Sequence, residues 1–517
     1  MRKYTVYSLL GFVFILLIFS SVSLGRNTSI TYKIYAEGKH RDIEVKTALA
    51  DYVFSEDGGT LKSVYLYFAP YGTKPTELIP GTKTSFKDGS YTRQYLANIV
   101  FPFSVQTEGT TSFGTYTLSP PKSPSPDELI VEFIGTFAGA KVTKKFVLHN
   151  EPYYTVDCTV TIENTSNKPL PLALVLGDYA PGSSPSLVYQ FDGTASSAPL
   201  APGSYTSFDG VGLMDKATVY FLITREMKGV APFTASHGER RLFGINFSAP
   251  PGKNSYSFTL YGGRRRYLLM EAVGLGSLDN PGTGARMIIP VVQFLEWLYR
   301  HTGNYGWAII LFTLVTRLVL FPLMRKQYHS MAKMQKLQPK LREIQKRFKD
   351  DRQLLQQKMM ELYKREGVNP MGGCLPMFIQ LPILILLWKA ILYSSEAIHL
   401  SPSFLWIPDL SLRDPYFILV ILTTGAMILQ QRLMTPMTAD ASGSQKYMGY
   451  IFPLFMAFFF WNFPAGLWLY YLLTTVSQVG QQAFVNWELA KAEAGAPSVA
   501  PEEPEEEPGN GDGQSGN

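Results

Sequence analysis

The sequence predicts a multi-pass α-helical membrane core joined to an all-β domain, and three observations carry that reading. Long uncharged apolar runs dominate the C-terminal half of the 517 residues. Between residues 27 and 285 the pattern changes to short alternating segments separated by Gly, Pro, Ser and Asn, which reads as an antiparallel sandwich. A strongly basic stretch, 325–366, separates two of the apolar runs. Cytoplasmic loops carry the excess of Lys and Arg, so this stretch orients every span around it.

Taken in order, residues 1–26 form an N-terminal transmembrane anchor. The apolar run 4–24 follows Arg2 and Lys3, which place the start in the cytoplasm. Its length exceeds the core of a signal peptide and favours a retained anchor, although Ser21-Val22-Ser23 resembles a small-residue cleavage site. Residues 27–285 are the β domain, with strands expected at 30–35, 61–68, 128–134, 154–162 and 256–261. No triad spacing, glycine-rich phosphate loop or paired-carboxylate motif occurs there, so a spacer or docking domain is expected rather than an enzyme. Residues 286–302 place Gln293, Glu296 and Arg300 on one helical face, with Trp297 and Tyr299 beside them, as in a helix lying at a membrane interface. A packed amphipathic linker is the alternative.

The membrane core spans residues 303–486, with apolar runs at 305–324, 371–392, 416–430, 447–461 and 464–484, and the anchor brings the expected spans to six. Within the basic stretch 325–366, Tyr328, Met331, Met334, Leu337, Leu341, Ile344 and Phe348 recur at helical spacing. Leu355, Met359 and Leu362 resume the pattern after a polar turn, predicting a cytoplasmic helical hairpin whose second arm Asp350 would cap. Lys346, Arg347 and Lys349 suit contact with anionic lipid or ribosomal RNA, or simply a solvated topogenic loop. Orientation from the hairpin puts 394–415 outside, with Glu396, Asp409 and Asp414 against Arg413, and both termini inside. The tail, 487–517, is acidic and rich in Pro and Gly toward its end and is expected to be disordered. Cys158 and Cys374 fall on opposite sides of the membrane, which excludes a disulfide between them, and neither has metal-ligand neighbours. No metal or other cofactor is expected.

Arg317 is the one ionisable residue in the run 305–324. A guanidinium in hydrocarbon costs several kcal/mol and is retained where it faces a wet cavity, a partner or a substrate. No Asp or Glu occurs in the other C-terminal runs, so a cavity open to the cytoplasm explains it better than a buried ion pair. The alternative is an arginine snorkelling to the inner interface. Thr313, one turn earlier, would share its face, and Tyr470 and Tyr471 could add polar tips. Opposite them, residues 371–386 and 452–460 are rich in Met and Phe and interrupted by proline, a deformable apolar surface suited to varied clients. A small-anion transporter using Arg317 is the rival reading, but inverted repeats and paired broken helices are not detected. A carbohydrate enzyme in the sandwich is a third, without visible acid and base residues.

Four motifs in this order resemble the YidC/Oxa family of membrane protein insertases. They are Thr316-Arg317-Leu318-Val319-Leu320-Phe321-Pro322-Leu323; Met331-Ala332-Lys333-Met334 with Leu337-Gln338-Pro339-Lys340; Asn369-Pro370-Met371-Gly372-Gly373-Cys374-Leu375-Pro376 with Gln380-Leu381-Pro382; and Phe463-Pro464-Ala465-Gly466-Leu467 with Tyr470-Tyr471. They cover about residues 305–484, and the layout around them resembles the Gram-negative form. The resemblance implies a five-helix core enclosing a hydrophilic groove open to the cytoplasm, and a periplasmic sandwich of galactose-mutarotase-like fold in the bacterial inner membrane. It implies client binding in the groove by Arg317, Thr313, Tyr470 and Tyr471, and a hydrophobic slide on Pro376, Leu381, Pro382, Pro453, Phe455 and Phe459. The implied activity is energy-independent insertion and chaperoning of nascent membrane proteins, alone or beside the SecYEG translocon, with membrane lipids as surroundings and no small-molecule substrate. Ribosome contact would be weak and through the hairpin. Family members with a basic tail use it on ribosomes, whereas this tail carries Glu502, Glu503, Glu505, Glu506 and Glu507.

Overall fold

The computed structural model describes residues 29–87, 90–107, 114–182, 184–224, 229–279, 281–367, 375–434 and 443–494. The expected anchor over 4–24, the tail beyond 494, the motif at 369–374 and the side chain of Pro376 lie outside them. Among the described residues the N-terminal part is built of antiparallel sheets of five, ten and four strands with a two-stranded hairpin. One apolar core joins the three larger sheets: Phe54 and Val64 come from the first, Phe146, Val160 and Leu260 from the second, and Leu174, Phe243 and Ile245 from the third. Strand Thr155–Asn164 buries every second residue, as its sequence alternation requires. Strand Thr60–Leu66 departs from that rule, because all seven of its residues are buried. Lys62 tolerates this by placing its Nζ 2.9 Å from Asp42 Oδ2.

The C-terminal part is helical: α1 (Tyr267–Ala272), α2 (Thr283–Thr302), α3 (Tyr305–Arg347), α4 (Arg352–Arg365), α5 (Leu375–Tyr393), α6 (Ser395–Leu400), α7 (Ile418–Met434), α8 (Gly443–Phe460) and α9 (Ala465–Ala494). Helix α2 stops at Gly303, whose φ of 67° favours glycine, and Asn304 then caps α3 by accepting from Gly306 N at 2.8 Å. A Cβ on Gly306 would lie 2.1 Å from the Phe404 ring, so glycine is needed there for α3 to meet the outer loop. At about 1.5 Å per residue α3 is ~65 Å long, roughly twice a bilayer's hydrocarbon thickness. Its first part is the apolar stretch Tyr305–Met334, and the remainder becomes the first arm of the basic hairpin. The cap of the second arm is Asp351 rather than Asp350: its Oδ1 accepts from Gln353 N and Leu354 N, both at 3.0 Å. Leu337, Leu341 and Leu362 hold the two arms together, helped by a Lys340–Glu366 pair at 3.0 Å.

The residues between α5 and α7, expected on the outer side, form a largely buried layer that fastens the sheets to the helices. Glu396 is fully buried and meets Arg266 Nη1 at 2.7 Å, while the Tyr154 hydroxyl donates to it at 3.1 Å. His399 stacks on Phe68 with ring centroids 4.0 Å apart; its Nδ1 lies 2.6 Å from Asp409 and its Nε2 donates to Ala48 O at 3.1 Å. Burial opposes ionisation of Asp409, yet His399 and Ser411 hold its carboxyl below the usual range. Asp414 accepts from Leu419 N at 2.7 Å and Trp406 Nε1 at 3.2 Å. The start of α9 completes the layer, since Ala465 N and Gly466 N donate to Leu412 O at 2.6 Å and Leu410 O at 2.9 Å. A charged loop can be buried only when every charge finds such a partner, and local sequence does not reveal partners from a distant domain.

Breaking one of these pairs strands a buried charge. Arg266→Ala should therefore cost about 3–5 kcal/mol, read as a lower urea midpoint for the purified protein. Glu396→Gln, which keeps an oxygen acceptor and removes the charge, should cost less; an unchanged midpoint for Arg266→Ala would deny the layer its anchoring role.

Candidate functional site

Arg317 lies on α3 and is only 5% exposed to the surroundings of the chain. Its Nη2 donates to Gln380 Oε1 on α5, and Gln380 Nε2 donates in turn to the Tyr470 hydroxyl on α9 at 2.9 Å. One hydrogen-bonded chain thus ties three helices at the level of the guanidinium. Gln380 is the single side-chain amide in α5. It neutralises no charge, so the cation stays a cation while one of its donors is satisfied.

The structure sorts the other expected groove residues. Thr313 is fully buried one turn before Arg317, and its hydroxyl donates to Ile309 O at 2.7 Å. Tyr470 joins the chain above. Tyr471 sits on the neighbouring face of α9, beside an apolar cavity of about 240 Å³ lined by Leu384, Ile385, Trp388, Met456, Phe460 and Trp468 among others. Sequence reasoning assigned Gln380 no role; its signal was a lone amide in an apolar helix.

From Arg317 toward the hairpin, the contact between α3 and α9 is mixed: Met324, Tyr328 and Val485 form a buried apolar cluster, with buried polar atoms beside it. Tyr328 Oη, Gln481 Oε1 and Gln482 Oε1 are buried and have no hydrogen-bond partner among the described residues. Gln430 Nε2 donates to Gln478 Oε1 at 2.9 Å, linking α7 to α9. Arg325 pairs with Glu488 at the far end, with His329 Nε2 3.8 Å from the same carboxylate. Such a run of amides and hydroxyls cannot face lipid, where every unsatisfied polar group costs several kcal/mol.

The opposite character appears on α5 and α8. Leu381 is 46% exposed and Phe455 and Phe459 are exposed with their rings 4.2 Å apart, while Pro382 is exposed and Pro453 buried. These helices flank the apolar cavity and present a continuous greasy surface. On the hairpin, Lys346, Arg347 and Lys349 are exposed. Cys158 is a buried free thiol, pushed well up by burial, and so is inert. Among the described residues no cluster of metal-ligating side chains occurs.

Truncating the hydrogen-bonded chain has graded effects. Tyr470→Phe removes one acceptor and should cost about 1–3 kcal/mol, whereas Gln380→Leu leaves the guanidinium without its amide and should cost more. Thermal unfolding in one detergent compares the two, and the reverse order would show that Arg317 does not depend on Gln380.

Comparisons with known proteins were made against this geometry. Residues 297–492 match the family described as 60Kd inner membrane protein. The chain is 32% identical over 483 residues to the membrane protein insertase YidC of Syntrophus aciditrophicus, covering 87% of this chain and 85% of that one. It is 44% identical over 239 residues to the YidC of Wolinella succinogenes, covering 46% and 44% of the two chains. A crystal structure of an active YidC insertase with its first transmembrane domain resolved is similar in fold, with a TM-score of 0.53 at 23% identity over 93% of this chain and 99% of that one.

Proposed function

The chain belongs to the YidC family of membrane protein insertases, and we propose that it inserts its clients by admitting a polar segment to the space beside Arg317 while an apolar segment moves along α5 and α8 into lipid. It is an inner membrane protein with a periplasmic domain. The observation that carries the proposal is the set of buried, partnerless polar atoms on Tyr328, Gln481 and Gln482 below a buried arginine. A polar space that ends beneath the layer of Glu396, His399, Asp409 and Asp414 is open toward the hairpin, and the positive-inside rule makes that side cytoplasmic. A client's polar segment then crosses a shortened hydrocarbon path. Its apolar segment drives the transfer, at roughly 0.8 kcal/mol per buried methylene, and the membrane potential adds force on any client charge. No covalent bond forms or breaks, so no nucleotide or cofactor enters the step. Small clients would need no other machinery, larger ones would pass through the SecYEG translocon beside it, and the same greasy surface would shelter helices while they fold.

The direct test is reconstitution into liposomes without nucleotide, using a small client with an acidic outer segment. Wild-type protein should insert it. Arg317→Ala should insert it about ten-fold less, the factor for losing ~1.4 kcal/mol of charge stabilisation, and Arg317→Lys should retain more than Arg317→Ala. Chloride flux without client insertion would instead support an anion transporter.

Ribosomes would meet the exposed hairpin, because Lys346, Arg347 and Lys349 reach RNA phosphates while the acidic tail is repelled by them. Changing the three residues to Glu should weaken co-sedimentation with ribosomes, more so at low salt, and truncation after Ala494 should leave it unchanged or slightly stronger. Binding lost on truncation but kept in the charge-reversed hairpin would overturn this assignment.

A further inference from the structure

The β domain holds a polar crevice of about 640 Å³ between strands Thr31–Glu37, His40–Lys46 and Asp51–Ser55 and the hairpin strand Ser90–Tyr95. Its lining mixes both signs of charge with tyrosine rings: Lys33, Lys46, Glu44, Asp51, Tyr32, Tyr35, Tyr91 and Tyr95. Strand register sets Lys33 opposite Glu44 and Lys46 opposite Asp51. Those pairs are nevertheless not formed. Arg93 takes both carboxylates, Glu44 at 2.8 Å and Asp51 at 3.0 Å. Among the described residues neither Lys33 nor Lys46 then has a carboxylate partner; Lys46 lies over the rings of Tyr67 and Tyr91, 4.9 and 5.7 Å from their centroids. Two carboxylates share one guanidinium, and Asp51 Oδ1, in a residue 1% exposed, has no hydrogen-bond donor among the described residues. Burial and the adjacent Glu44 carboxylate push the Asp51 carboxyl up to about 7 despite Arg93, so this pair of carboxylates, short of one cation, favours an added one that can donate a hydrogen bond. The crevice therefore offers two ammonium groups to an anion at one place and an under-supplied carboxylate to a cation at another.

It also lies close to the outer membrane surface. Ala48, whose carbonyl accepts from His399 at 3.1 Å, is two residues from Lys46 and three from Asp51, at most ~10 Å along a strand. Tyr71 of the same domain places its ring 6.2 Å from Trp388 and 4.9 Å from Phe463. The apolar run that ends at residue 24 is seven residues from Thr31, at most ~25 Å of extended chain.

We propose that this crevice binds the headgroup of an aminophospholipid of the outer leaflet, with the phosphate on Lys33 and Lys46 and the primary ammonium on Asp51 within the tyrosine rings. The proposal rests on the membrane placement of the chain and not on the insertion mechanism. A neutral saccharide would use the rings but leave the two lysines that lack a carboxylate and the buried carboxylate oxygen without a role. A quaternary ammonium would suit the rings as a cation, but it has no N–H to donate to Asp51 Oδ1. Ethanolamine is therefore favoured over choline.

The test uses the full-length chain in nanodiscs of phosphatidylglycerol, with soluble glycerophosphoethanolamine as the probe and saturation-transfer NMR as the readout. Glycerophosphocholine, inorganic phosphate and maltotriose are the comparisons. Glycerophosphoethanolamine should bind, and each comparison should bind about ten-fold more weakly, the factor for one missing charge-assisted hydrogen bond. Lys33→Gln and Lys46→Gln remove exposed side chains and so should leave the fold intact, and each should weaken the probe by a similar factor. Adding phosphatidylethanolamine to the nanodiscs should displace the probe, which identifies the lipid rather than a free metabolite as the natural source. Equal binding of the choline analogue or phosphate, preferential binding of maltotriose, unchanged binding by both variants, or failure of the lipid to displace the probe would each overturn the assignment.

Discussion

Everything in the membrane core follows from one constraint: a guanidinium and its polar neighbours must be satisfied inside a low-dielectric slab. Among the described residues, Arg317 achieves this without an ion pair. Its bond to Gln380, and that of Gln380 to Tyr470, spread the demand for hydrogen bonds over three helices while leaving a net positive charge in place. An Asp or Glu partner would have cancelled that charge and, with it, any attraction for an acidic client segment. The amide thus orients the arginine and keeps its field available.

The same constraint divides the helices by surface. Below Arg317, α3 and α9 bury polar atoms of Tyr328, Gln481 and Gln482 beside an apolar cluster, while α5 and α8 expose Leu381, Phe455 and Phe459. At the outer end the problem is solved by burial with partners rather than by exposure. Glu396 and His399 are held by Arg266, Tyr154 and Ala48 of the β domain, and Asp409 by His399 in turn, so the domain contributes part of the seal. This gives the large domain a mechanical role, and the crevice proposed for a lipid headgroup lies beside that same contact.

Much of this was legible in the sequence, and the failures have physical causes. An isolated arginine in an apolar run points to a site because hydrocarbon makes it costly, and the five expected strand segments overlap strands because their alternation reflects one buried face. Gln380 was visible as a letter but not as a partner, since its contact is 63 residues away in the chain. Strand Thr60–Leu66 buries both faces, which alternation does not encode. Glu396, Asp409 and Asp414 placed 394–415 outside, but charge patterning registers sidedness and says nothing of their burial. Asp351 displaced Asp350 as the cap by a single residue, within the ordinary imprecision of helix boundaries. Tyr470 and Tyr471 share a motif, and adjacent residues on a helix point about 100° apart, so the motif alone does not show that Tyr470 is the one bonded to Gln380.

The central claim is that the polar space beside Arg317 is wet and opens toward the hairpin. Single cysteines at Gln481 on the polar face and at Leu318, which is 75% exposed on the outer face of α3, measure this directly in sealed inside-out and right-side-out vesicles. A membrane-impermeant maleimide should label Gln481→Cys from the cytoplasmic side alone and leave Leu318→Cys unlabelled from either side. Labelling of Gln481→Cys from the periplasmic side, or no labelling while a hairpin cysteine reacts, would contradict the account.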